Sequence, residues 1–140
     1  MKSGTDLARE LVQKAANDLA AAMIGVSHGA PMDTVCFHVQ QAAEKLLKAL
    51  LSAIDIPYPR THDLDQLFDL ALPQYPDLAP FVERFETFGP YAVALRYSND
   101  FQPSDEEVAR GLEAVKDFES LVRDLLRPAI CATSEERGTQ

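Results

Sequence analysis

The sequence predicts an all-α fold, an antiparallel up-and-down bundle of four to five helices. Three observations point there. Apolar residues recur at helical spacing in several separate stretches. Between the stretches stand short connections bearing proline or glycine, which suit neighbouring antiparallel helices. No run alternates apolar and polar residues as a half-buried strand requires. With 140 residues and 46 % hydrophobic content, the chain is long enough for one domain with a sizeable core and too short for two.

The first helix is expected from about Asp6 to Val26. Leu7, Leu11, Ala15, Leu19, Ala22 and Met23 recur along it, while Arg9, Glu10, Gln13, Lys14 and Asn17 lie elsewhere on its circumference. Ser27-His28-Gly29-Ala30-Pro31 stops it. Asp33 can cap the second helix by accepting free backbone N–H groups of its first turn. Val39, Ala43, Leu46, Leu50 and Ile54 form the apolar stripe of that helix. Gln41, Glu44, Lys45, Lys48 and Ser52 form its polar side, where Glu44 and Lys48 make a favourable i, i+4 pair. Ile56-Pro57-Tyr58-Pro59 ends it in a stiff, extended connection.

Thr61 or Asp63 can cap a short third helix with Leu64, Leu67, Phe68 and Ala71 facing inward. Pro73 and Pro76 punctuate the next turn. A fourth helix is expected from near Asp77, with Leu78, Phe81, Val82 and Phe85 inside; Gly89-Pro90 breaks or kinks it, and Tyr91 to Tyr97 resumes. Ser104 and Glu107 fit a capping box at the start of the final helix. Val108, Leu112, Val115, Phe118, Val122 and Leu125 carry that helix inward, and Pro128 is expected to end it. Residues 1–128 thus read as one helical domain and residues 129–140 as a polar, frayed tail.

Composition narrows the function. A formal net charge of -9 and a pI of about 4.7 repel a phosphate backbone at long range, which argues against non-specific DNA or RNA binding. A local basic spot can still hold one nucleotide or a short RNA. The apolar run from Leu19 to Val26 is too short to span a membrane, and two cysteines, Cys36 and Cys131, make no disulfide framework; a soluble protein of the cytoplasm is expected. His28, His38 and His62 have no neighbours at metal-ligand spacing, and no Glu-x-x-His pair or glycine-rich phosphate loop occurs, so neither a metal nor a cofactor is expected. Cys36 and His38, two apart on a helix, point to different sides and make a poor dyad.

Arg96-Tyr97-Ser98-Asn99-Asp100 is the sharpest polar cluster. The fixed charge and forked donors of Arg96 suit a phosphate or a carboxylate, the alternative being an ion pair within the bundle. His38 is read either as a partly buried, hydrogen-bonded histidine or as a ligand contact. His62 is read as a helix-start or interface residue, or as a base; Lys45 and Lys48 as a solvated helix face. Phe85, Phe88, Tyr91 and Tyr97 are more aromatic surface than a narrow stripe needs. They could form an isologous interface or fill one core around Gly89-Pro90.

Cys36-Phe37-His38-Val39-Gln40-Gln41-Ala42-Ala43-Glu44-Lys45, then Arg60-Thr61-His62-Asp63-Leu64, then Arg96-Tyr97 with a loop into Ser104-Asp105-Glu106-Glu107-Val108, resemble in order and spacing the HEPN domains. The resemblance covers roughly Asp6 to Leu126. It implies a helical bundle, a homodimer, and a small nucleotidyltransferase as partner in a toxin–antitoxin or regulatory pair. Active HEPN ribonucleases share an Arg-x4-6-His motif; Arg96 matches its arginine, but the histidine window here holds Phe101, Gln102 and Pro103, none of which is a useful acid or base. The resemblance therefore implies a nucleotide- or phosphate-binding protein with Arg96, Tyr97, Asn99, His38 and Lys45 as candidate ligand contacts. A metal-independent ribonuclease using Arg96 and a displaced base such as His62 is the alternative, and a stand-alone nucleotide-binding module a further one.

Overall fold

The computed structural model describes residues 2–87 and 104–138, with side chains described to residue 86 and from 104 to 129. Among them are five α-helices, α1 (Gly4–Ser27), α2 (Met32–Ala53), α3 (Leu64–Ala71), α4 (Ala79–Thr87) and α5 (Asp105–Gly138), with a 3-10 turn over Pro76–Leu78, and no strand. The all-α bundle is what the apolar spacing requires.

Helix α1 starts two residues earlier than expected because Ser3 caps it. The Ser3 hydroxyl accepts from the Asp6 backbone N–H at 3.0 Å, and the Asp6 carboxylate accepts from the Ser3 N–H at 3.4 Å. At its other end His28 closes the helix and Gly29 takes φ +73, a left-handed conformation that glycine adopts without strain. The buried stripe is Ala8, Val12, Ala15, Asp18, Leu19 and Ala22, which leaves Leu7 and Met23 exposed, contrary to the expected stripe.

Helix α2 is the centre of the bundle and packs on α1, α3 and α5. Its cap is Pro31, not Asp33: Pro31 enters extended (φ -56, ψ 138), its carbonyl accepts from Thr34 and Val35, and Asp33 sits two residues past the cap, within the first turn. There its carboxylate still faces the positive end of the helix dipole. Because neighbours surround α2, its buried set is wider than one stripe, adding Val35, Ala42, Leu47, Ala49 and Leu51, while Ile54 is only half-buried. The helix closes with a 6→1 bond from the Ile56 N–H to the Leu51 carbonyl at 3.0 Å and with Asp55 at φ 56.

Asp63 rather than Thr61 caps α3, accepting from the Asp65 N–H at 3.0 Å, and all four expected inner residues are buried. Phe68 of α3, Phe81 and Phe85 of α4 and Phe118 of α5 meet with ring centroids 5.1 to 5.9 Å apart, in edge-on or tilted pairs that favour the ring quadrupoles. Phe85 is thus a core residue; Phe88, Tyr91, Tyr97, the Gly89-Pro90 kink and the helix expected over Tyr91–Tyr97 lie outside the described residues. Ser104 caps α5 by accepting from the Glu107 N–H at 3.1 Å. Leu126, not Leu125, is the last inner leucine, and the helix runs through Pro128 to Gly138 instead of ending there. A proline lacks one N–H and crowds the preceding turn, which one helix can absorb locally without stopping.

Candidate functional site

The polar side of α2 is not a solvated face. At about 100° per residue, Glu44, Lys48, Gln41, Ser52, Lys45 and His38 fall within an arc of about 120°. Along this arc two buried carboxylates each gather one histidine and one lysine.

The first carboxylate is Asp18 of α1. It is buried, and its two oxygens take different partners: Oδ1 accepts from His38 Nδ1 at 2.8 Å and Oδ2 from Lys45 Nζ. The second is Glu44 of α2, with a side chain only 5 % exposed. Its Oε1 accepts from His62 Nδ1 at 2.8 Å and its Oε2 from Lys48 Nζ at 3.0 Å. An ionised carboxylate only accepts, so both imidazoles must carry a hydrogen on Nδ1. Among the described residues no buried side-chain nitrogen or oxygen lacks a partner. Such satisfaction is what makes charges tolerable at this depth.

The segment between α2 and α3 closes over the Glu44 end. The Tyr58 hydroxyl lies 3.4 Å from Ser52 Oγ, Lys48 Nζ sits 5.8 Å from the Tyr58 ring centroid, and His62 completes the tie. The two histidines differ in access. The His38 side chain is largely covered, whereas that of His62 is 81 % exposed with its Nε2 edge free of Glu44.

Of the residues singled out from sequence, His38 and Lys45 come together on Asp18, and His62 joins Lys48 on Glu44. Arg96, Tyr97 and Asn99 lie outside the described residues, as do the side chain of Cys131 and the window Phe101–Pro103. Sequence reasoning missed both carboxylates as organisers. The signal for Asp18 was present: it continues the spacing Ala15, Asp18, Leu19, Ala22, so a carboxylate was bound to lie on a buried face and to need cations.

Cys36 is half-buried near the start of α2. Burial first, then the carboxylates of Asp33 and Glu107, push its thiol from 9.0 up to about 11. No group of three or more histidine, cysteine, aspartate or glutamate side chains converges as metal ligands among the described residues. No described helix is long and apolar enough to cross a membrane.

A family model described as HEPN domain matches residues 8–125. The chain belongs to the HEPN family. No curated protein and no solved structure matches it. In this HEPN domain the signature stretch Cys36–Lys45 maps onto the inner half of α2. Val39, Ala42 and Ala43 are core, and His38 and Lys45 are tied to α1 through Asp18. Much of that signature therefore holds the hairpin together, and the exposed ring in the second stretch, His62, is the more available for contact.

Proposed function

We propose that this HEPN domain works as a homodimer that binds a nucleotide or other phosphate-bearing ligand and serves as the protein partner of a small nucleotidyltransferase, in a toxin–antitoxin or regulatory pair. The observation that carries association is the uncovered apolar end of the α1–α2 hairpin. Ile24 is 60 % exposed and Phe37 56 %, with Met23 and Val26 beside them in the last turns of α1. The same end holds a groove of about 800 Å³ lined by Val26, Ala30, Pro31 and Met32 on one side and Val108 and Leu112 of α5 on the other. Exposed apolar side chains and a mostly apolar hollow at the same end of the bundle, the hollow also lined by Asp105, Glu113 and Lys116, can complement one another between two copies. For the ligand, the forked donors of Arg96 remain the proposed phosphate contact.

Light scattering at micromolar concentration and a pull-down with a small nucleotidyltransferase from a neighbouring gene test the reading together, and the lack of any such gene would count against it. A dimer that retains the nucleotidyltransferase is expected. A monomer that captures none would overturn it.

One observation favours a second reading, a metal-independent ribonuclease with a displaced base. Glu44 aligns the His62 ring with Nε2 outward, the arrangement by which a carboxylate readies an imidazole for proton transfer. RNA incubated with the protein in EDTA distinguishes the two: cleavage lost in both Arg96→Ala and His62→Gln would establish it over the first.

A further inference from the structure

Resting on the phosphate-binding part of that reading, we propose that His62 Nε2 and the Arg60 guanidinium form a binding site for a phosphate monoester. Two independent observations lead to it. Glu44, almost wholly buried, holds His62 by Nδ1 at 2.8 Å and is itself held by Lys48 at 3.0 Å, so the ring is fixed and Nε2 is its outward polar atom. Arg60, two residues earlier in the same connection, is exposed and stands alone among the described arginines. Arg9, Arg84, Arg110, Arg123 and Arg127 each lie within 4 Å of a carboxylate, and Arg60 has no such carboxylate among the described residues. In a chain with 22 acidic and 13 basic residues, an exposed arginine two residues along the chain from an aligned histidine is a cationic spot against the general trend.

The charges match the ligand. A protonated His62 with Arg60 and Lys48, set against Glu44, leaves two positive charges, the complement of a monoester dianion. A monoester that arrives with one proton supplies it: the P–O–H bond breaks, an Nε2–H bond forms, and the dianion stays opposite the imidazolium. Asp63, the nearest carboxylate along the chain, is directed to the Asp65 N–H at 3.0 Å as the cap of α3.

Nuclear magnetic resonance of the full chain tests the site, with inorganic phosphate, AMP and adenosine as probes. Saturable shifts of the His62 ring are expected with phosphate and with AMP and not with adenosine. Arg60→Ala and His62→Gln should each weaken AMP by about tenfold, the loss of one charge-assisted hydrogen bond, with helical circular dichroism retained because both side chains are exposed. Arg96→Ala is the separating arm. AMP binding that survives Arg60→Ala and His62→Gln but is lost in Arg96→Ala overturns this site and leaves the phosphate-binding reading standing. No saturable shift with any probe overturns both. Shifts driven by adenosine alone also overturn the site.

Discussion

At the scale of single residues, the fold turns on two acids that sit where apolar residues were due. Asp18 interrupts the buried stripe of α1, and Glu44 is buried among Ala43, Leu47 and Leu51 of α2. Each is tolerable only because a lysine and a histidine complete it. Asp18→Ala should therefore destabilise the protein by about 2–3 kcal/mol, below the usual cost of breaking a fully buried pair because Lys45 retains some water. Asp18→Ala with Lys45→Met should recover part of that loss, since no unpaired ammonium remains; urea midpoints of the four proteins measure the coupling. Cys36 gives a pH prediction with a definite sign. Its thiol titrates at 9.0 when free and near 11 in the fold, so the unfolded chain loses the proton first. Stability should be unaffected by this group below pH 9 and should fall as pH rises from about 9 to 11. Cys36→Ala should remove that part of the alkaline slope in a series of urea titrations.

At the scale of elements, the junction of α1 with α2 is the tightest seam. A Cβ built on Gly4 would run into the Ser52 carbonyl oxygen at the end of α2 and into the Asp55 carboxylate. Asp55 holds φ 56, a conformation usually left to glycine, with its carboxylate against the positive end of α1. Gly4→Ala should thus lower stability by about 1–3 kcal/mol, the range for overpacking, read as a lower midpoint of thermal unfolding. Most elements were legible in the sequence because their signals are local. Asp63 and Ser104 cap where their side chains say, and the spacing of Leu64, Leu67, Phe68 and Ala71 places α3 without ambiguity. What was not legible depended on neighbours. Lys45 and Lys48 read as solvated because periodicity along α2 cannot show that Asp18 arrives from another helix and the α2–α3 connection from above. The start of α1 was misplaced for a smaller reason, an aspartate in place of the longer glutamate in the Ser3 capping box.

At the scale of the whole molecule, the chain carries a net charge of -9, yet the end proposed for self-association exposes Met23, Ile24, Val26 and Phe37. Two such chains repel one another at long range, and only contact surface opposes that repulsion. Salt screens exposed charges over a distance of about 10 Å at 0.1 M, and less as concentration rises. The proposed dimer should therefore strengthen with added salt. Binding of a phosphate monoester at Arg60 and His62 should weaken over the same range, because there the attraction itself is what salt screens. Sedimentation velocity and an AMP titration, run across one series of sodium chloride concentrations, read the two slopes in parallel. Ile24→Lys with Phe37→Glu should abolish the first slope by leaving a monomer at every salt concentration, with helical circular dichroism and the AMP slope retained. The two sites thus make opposite demands on ionic strength. A dimer that dissociates as salt is raised would place its interface on charged surface and away from the hairpin end.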